Sequence, residues 1–94
     1  MHAPIDVRHI PDRHRFEAVI DGRVAELDYR PDGRAMRIHH TEVPPQLEGR
    51  GVASALVQAA VDHARAEGLT IVPVCAYASA WLQRHPEHAD LVSR

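Results

Sequence analysis

Thr41-Glu-Val-Pro-Pro-Gln-Leu-Glu-Gly-Arg-Gly-Val-Ala53 is the stretch that decides the fold. Pro44-Pro45 ends whatever strand precedes it, because proline has no amide to give to a sheet ladder. Gly49 and Gly51 allow backbone angles that a Cβ disfavours, and they leave the main chain open to close approach. From Gly51 onward Ala53, Leu56, Ala60 and Ala64 recur at spacings of three and four, Val57 and Val61 widen the stripe, and Gly68 is a stop signal. Roughly 17 residues at about 1.5 Å each make a helix of about 25 Å. Its first amides lack intrahelical partners and sit at the positive end of the helix dipole, so residues 49–52 favour a phosphate. No Lys-Ser/Thr follows for a P-loop, and no third glycine completes a dinucleotide fingerprint. Taken alone, Gly-x-Gly is also compatible with a plain turn before a helix.

Working back from this loop, residues 35–43 read as a strand in which Met36, Ile38, His40 and Glu42 share one face and Arg37, His39, Thr41 and Val43 the other. Before it, residues 15–20 and 24–29 alternate around Asp21-Gly22, a strong hairpin signal, and the pattern sends Ala25, Leu27 and Tyr29 to the core. Pro31-Asp32-Gly33 reads as a second turn, and residues 7–10 as a short first strand closed by Pro11-Asp12. Working forward, residues 69–75 form an apolar run of strand length, reached through a helical crossover and therefore parallel to its predecessor. Pro73 inside it marks an edge or an interruption of pairing. Residues 78–84 read as a short helix stopped at His85-Pro86, followed by a loose or weakly helical tail over 87–94. The expected architecture is α/β (α+β): a mixed, mainly antiparallel sheet of about five strands, one long helix after the Gly-rich loop and a short C-terminal helix.

The composition bounds what this scaffold does. Ninety-four residues, 45% apolar and 26% charged, describe one ordinary globular domain spanning residues 1–94. A net charge of −2 supplies no basic field for nucleic acid or anionic membrane. Cys75 is the single cysteine, so no internal disulfide forms, which suits a reducing compartment. The start, Met-His-Ala-Pro-Ile-Asp, lacks the basic and apolar regions of a signal peptide, and a cytoplasmic location is expected. Despite eight histidines, no metal site is expected: His39-His40 point to opposite strand faces, and His85-Pro-Glu-His88 lacks a second ligand pair.

The order of elements, with Gln46-x-x-Gly49-x-Gly51 at the turn, resembles the acetyl-CoA-binding motif of the GCN5-related N-acetyltransferases (GNAT). Together with His40-Thr41-Glu42-Val43-Pro44, Gly49-Arg50-Gly51-Val52-Ala53, Pro73-x-Cys75 and His85-Pro86, it is similar to the compact branch of that family, the N-acetyltransferase domain-containing or YidJ-like proteins. The resemblance implies a minimal acetyl-CoA-dependent N-acetyltransferase, with acetyl-CoA as co-substrate and a primary amine, on a small molecule or a protein lysine, as acceptor. It also implies that amides around Leu47, Gly49, Arg50, Gly51 and Val52 bind the coenzyme A pyrophosphate. The strand end at Glu42-Val43 would pair with the pantetheine arm as an added strand. Gln46, Ala53, Tyr77, Ser79 and Arg84 join the expected cofactor set; Arg50, Arg84 and His85 are candidate phosphate partners, with solvated surface as the competing reading of each. The chain lacks helices after its first strand and the last two strands that often build the acceptor side, so a homodimer or a partner chain is expected to complete that site.

Transfer to an amine needs a base, because a lysine ammonium of pKa about 10.4 is protonated at neutral pH. His40 and Glu42, on the strand that meets the cofactor, are the candidates; the competing reading packs His40 under the helix and leaves Glu42 solvated. Cys75 is placed to accept the acetyl group, to hydrogen-bond beside the thioester sulfur, or simply to fill core, and His40 is the expected influence on its pKa. Many members of the family carry a tyrosine acid in the following helix. Here Trp81 stands in that helix, with Tyr77 just before it, and Ser79 either contacts the pantetheine or caps the helix. A non-catalytic acyl-CoA-binding or protein-interaction module is the alternative reading.

Overall fold

The computed structural model describes residues 4–93. Five strands, β1 (Arg8–Ile10), β2 (Arg15–Ile20), β3 (Arg23–Asp32), β4 (Ala35–Glu42) and β5 (Thr70–Pro73), form one sheet in the order β1-β2-β3-β4-β5. All neighbours are antiparallel except β4 and β5, which are parallel and joined by α1 (Val52–Glu67). A second helix, α2 (Ala76–Gln83), follows β5. The mixed sheet and the two helices agree with the architecture read from the sequence.

Turn chemistry sets the hairpins. Asp21 and Gly22, both at positive φ (54° and 74°), join Ile20 to its partner Arg23 as a two-residue turn of the kind that matches strand twist. The second turn falls at Gly33-Arg34, one residue later than Pro31-Asp32-Gly33 suggested, because β3 runs on through Pro31 to Asp32. Proline is tolerated there for a directional reason. The Tyr29 amide points toward β2 and bonds the His14 carbonyl at 3.0 Å, so the missing Pro31 amide faces the same side, where β2 has already ended.

Among the described residues, the helices cover one face of the sheet and leave the other open. Phe16, Ala18, Ala25, Leu27, Tyr29, Met36, Ile38 and Ile71 are buried against Leu56, Val57, Ala60, Val61 and Ala64 of α1. Gly51 (φ 78°) begins the helix and Gly68 (φ 69°) ends it, with the Gly68 amide returning to the Ala64 and Arg65 carbonyls. The opposite face carries Arg15, Glu17, Glu26, Asp28, Arg30, Arg37, His40 and Glu42, all half-buried or exposed.

One irregularity overturns part of the sequence reading. Tyr29 pairs with Ile38, yet Asp28 pairs with His40, so His39 is an extra residue on β4, a β-bulge. The bulge inverts the alternation: Thr41, opposite buried Leu27, turns inward and is half-buried, while His40 and Glu42 project outward with Asp28 and Glu26. His40 and Glu42 therefore do not share a face with Met36 and Ile38, and His40 does not pack under the helix.

The C-terminal segment also differs from expectation. Pro86–Leu91 is a 3-10 helix, Leu91 is buried, and the Ser93 amide bonds the Ile71 carbonyl at 2.8 Å, so this segment covers the outer edge of β5. Leu91 and Val92 supply the apolar anchorage that holds it. Arg94 and the first three residues lie outside the described residues.

A histidine pair ties the first strand to the core. The His9 ring stacks on Phe16 at 4.4 Å, shares a 2.6 Å hydrogen bond with the Tyr29 hydroxyl and lies 4.3 Å from the His63 ring on α1. Burial, reinforced by the charge on His63, lowers the His9 pKa below its ordinary 6.5. Because the folded value is the depressed one, this contribution to stability is present above about pH 6.5 and is lost as pH falls through the folded value. Thermal melting between about pH 7.5 and about pH 5 should show a falling midpoint, and His9→Phe, which keeps the ring stack, should flatten that slope. In the core, Leu56→Ala should cost about 2–5 kcal/mol in denaturant unfolding, since its side chain is fully enclosed.

Candidate active site

The end of β4 is where the two halves of the sheet part. Parallel pairing with β5 stops at Ile38 opposite Pro73, and the Ile38 carbonyl then accepts both the Val74 amide at 3.0 Å and the Cys75 amide at 2.9 Å. Those two bonds turn the chain away, so β5 is shorter than the 69–75 run suggested and α2 begins at Ala76 rather than at residue 78. Two placements change as a result. Tyr77 lies inside the helix rather than before it, and Ser79 is a helical residue that does not cap it. Pro73 is both on the sheet edge and at the interruption, as its lack of an amide predicts.

A pocket of about 250 Å³ fills the junction between the β4 end, the glycine loop and the starts of both helices. Val43, Leu47, Gly49, Gly51, Val52, Ala53 and Tyr77, all expected cofactor residues, line it, joined by Glu48 and Ser54. Gly49 and Gly51 stand at φ 77° and 78°, and a Cβ at either meets nothing within 4 Å, so backbone conformation rather than space calls for glycine. The first α-helical bond runs from the Ala55 amide to the Gly51 carbonyl at 3.0 Å, and no side chain caps the helix. The amides of Val52, Ala53 and Ser54 thus have no intrahelical acceptor and face an anion at the positive end of the dipole. These features fit the diphosphate of coenzyme A.

The remaining expected cofactor residues are placed elsewhere. Gln46 is exposed on the 3-10 turn Pro45–Leu47, and Arg50 forms a solvent-exposed pair with Asp21 at 3.2 Å. Ser79 lines a separate cavity with Pro73, Leu82, Gln83, Pro86, Ala89 and Val92. Arg84 is exposed at the end of α2, and His85 stacks on Trp81 at 3.7 Å while its Nδ1–H donates to the Trp81 carbonyl at 2.7 Å. Trp81 itself is buried, its indole N–H donating to the Ser54 hydroxyl at 2.8 Å, which fixes the start of α1 to α2.

Cys75 occupies the residue before α2, and its thiol donates to the Thr41 hydroxyl at 3.6 Å. Burial alone would raise the thiol pKa. The Ala78 amide, the Thr41 side chain, and the Tyr77 and Thr41 amides outweigh burial and bring it below the ordinary thiol value. His40 takes no part in this shift, contrary to the sequence expectation, because the bulge carries it to the other face. Thr41 is the residue that sequence reasoning missed, since without the bulge its parity points outward. Tyr77 is raised by burial, opposed by the charge on Arg84.

On the open face, Arg15 reaches three carboxylates: Asp28 at 2.7 Å, Glu26 at 2.9 Å and Glu17 at 3.3 Å. A hydrogen bond with Asp28, then burial and the Asp28 charge, raise Glu26 against the pull of Arg15, and Glu42 adds to the rise. Burial raises Asp28, but its bonds to Glu26 and Arg15 and the charges of Arg15 and His40 prevail and leave it below the usual carboxylate range. Glu26, Asp28 and His40 offer ligand atoms within 4.8 Å of one another, a spacing that would suit a cation, and Arg15 already supplies a positive charge to the two carboxylates. Spacing along the sequence did not show this group, because it is assembled across two strands.

Comparison with known proteins agrees with this geometry. Residues 15–91 match the family model for the GCN5-related N-acetyl-transferases. Protein NATD1 of Gallus gallus and of Mus musculus is 33% identical over 86 residues, covering 88% of this chain and 78% of theirs. The Homo sapiens protein of that name is likewise 33% identical, with 76% of its length covered. A solution structure of a GCN5-like candidate N-acetyltransferase from Staphylococcus aureus superposes with a TM-score of 0.76 at 29% identity, over 95% of this chain and 88% of that one. The chain belongs to the GCN5-related N-acetyltransferase family. These matches bear on the family and not on the YidJ-like branch.

The Cys75 environment has a direct readout. Alkylation of the folded protein by iodoacetamide should follow a pH profile with a midpoint below that of a free thiol, and Thr41→Val should move it upward. An unchanged midpoint in Thr41→Val would remove the hydroxyl from the account.

Proposed function

We propose that the protein is an acetyl-CoA-dependent N-acetyltransferase acting on a primary amine. The observation that carries this reading is the continuity of one site: the glycine-loop pocket, lined by Val43 of the β4 end and Tyr77 of α2, adjoins the gap where β4 leaves β5 beside Cys75. Acetyl-CoA supplies an activated thioester when bound. The amides of residues 49–54 hold its diphosphate, and the free edge of β4 beyond Ile38 offers main-chain groups to its arm in the manner of strand addition.

Two routes use the same residues. In direct transfer the ammonium first gives a proton to Glu42 or His40; the neutral nitrogen then bonds to the acetyl carbon, the C–S bond breaks, and the departing thiolate takes up the proton that the acylated nitrogen sheds. The Cys75 thiol and the Thr41 hydroxyl then stand near the departing sulfur. In the two-step route the Cys75 thiolate bonds to the acetyl carbon and coenzyme A leaves as its thiolate, which takes up a proton; the neutral amine then bonds to the same carbon and Cys75 leaves as the thiolate it began as. Its lowered pKa and its seat at the start of α2 support a reactive thiol.

Calorimetry with acetyl-CoA should give binding that Gly51→Val weakens at least about tenfold, since a β-branched residue resists the left-handed conformation. No heat at high protein concentration in wild type would overturn the proposal. Release of free coenzyme A over a panel of amines should fall about 100-fold or more in whichever of Glu42→Gln and His40→Gln removes the base. An acetyl group on Cys75 in intact mass spectra marks the two-step route, and undiminished turnover in Cys75→Ala marks the direct one. Binding without turnover on every amine is the result expected of a non-catalytic acyl-CoA module.

A further inference from the structure

Cross-strand register sorts the charges on the open face into rows. Glu17, Glu26 and Glu42 form one row, and Arg15, Asp28 and His40 the next. Past the start of β2, Arg30 stands opposite Arg37. The face is acidic toward the end of β4; at the far end the two arginines come together, with Asp32 as the last residue of β3 beyond them.

The Arg30–Arg37 pair is physically costly. Like charges directly opposite one another on a sheet destabilise it, both residues are exposed, and neither makes an ion pair among the described residues. Further nitrogen-bearing side chains gather beside them. The 3-10 turn Pro11–Arg13 brings Arg13, and His14, held at φ 50° with its carbonyl bonded to the Tyr29 amide, fixes that turn against β3. The bulge brings His39. Arg13, His14, Arg30 and His39 line an open hollow of about 550 Å³ around the Arg15–Asp28 pair. Asp28, the one carboxylate in that lining, is already engaged by Arg15 at 2.7 Å, so it does not neutralise the others.

We propose that this hollow binds an anionic group, carboxylate or phosphate, carried by the amine acceptor. The inference rests on the acetyltransferase reading and deepens it by naming a substrate class. His39 at the rim lies two residues, or about 7 Å of strand, from Thr41, and Asp28 stands opposite His40, the neighbour of Thr41; Thr41 touches Cys75 through the other face. From Glu26 to Arg30 is four residues, about 13 Å. An acceptor whose amine lies by Glu42 and whose anion lies by Arg30 therefore bridges the acidic and basic ends of one face, and its anion relieves the arginine repulsion.

Three short peptides test this with the full chain: a lysine followed three residues later by alanine, by glutamate or by phosphoserine. Apparent KM and backbone amide shifts of Arg13, His14, Arg30 and His39 are the readouts. The glutamate or phosphoserine peptide should be preferred about tenfold over the alanine peptide, the scale of one charge-assisted bond. Arg30→Gln should abolish the preference while melting no lower than wild type, since it removes a repulsion; Arg13→Gln, away from the sheet ladder, should weaken it independently. Equal use of all three peptides, or a preference that survives both substitutions, overturns the subsite. Acetyl-CoA binding is read separately at the amides of residues 49–52. Loss of the anion preference with that signal intact counts against the subsite, and absence of that signal in wild type counts against the acetyltransferase reading.

Discussion

The Ile38 carbonyl accepts two amides where a parallel ladder would give it one, and much of the site follows from that. A strand running on past Ile38 would occupy the edge of β4 with its own backbone. With Val74 and Cys75 both drawn to a single acceptor, the chain turns out of the sheet at once and enters α2. The groups of β4 beyond that point face a helix start rather than a strand. Cys75 is left at the beginning of the helix, where amide dipoles favour a thiolate, and within reach of Thr41. Pro73 suits this ending because it has no amide to leave unpaired.

The extra residue at His39 acts on the same strand from the other direction. By inverting the alternation it sends Thr41 inward toward Cys75 and His40 and Glu42 outward, so one short segment supplies two chemically different faces. The inner face offers a hydroxyl and a thiol. The outer face offers a carboxylate and an imidazole beside a network whose charges Arg15 holds together.

This explains what could and could not be read from the residues alone. Asp21-Gly22, the stripe from Leu56 to Ala64 and the glycines at 49, 51 and 68 report local requirements, and local requirements survive in a sequence pattern. The inward set Ala25, Leu27 and Tyr29 was legible for the same reason. The bulge was not, because it is a relation between β4 and β3 and changes no residue type. The faces assigned downstream of it were therefore inverted: His40 and Glu42 were placed on the face of Met36 and Ile38, and Thr41 on the other. The Arg15 cluster escaped notice for a similar reason, since its members are far apart in sequence and meet only through register. Ser79 was misplaced because the start of α2 depends on the Ile38 carbonyl, which nothing near Ser79 encodes.

Two helix starts converge on the junction, and their relation is fixed by a side chain rather than by the sheet. The Trp81 indole binds Ser54 in the first turn of α1, while His85 covers the other side of the ring. Trp81 uses its polar atom to hold α1 and α2 together, and Tyr77 is the tyrosine of α2 that lines the junction pocket. The backbone amides at the two helix starts are thereby set in a constant geometry, one group for an anion at the glycine loop and one for sulfur at Cys75. All of this rigidity lies on the buried side. Across the sheet, Arg30 and Arg37 repel each other with no helix above them, and the chain keeps a face that its own residues do not satisfy. In the proposed acetyl transfer, that division suits a donor that is one fixed molecule and a recipient that brings part of the site with it.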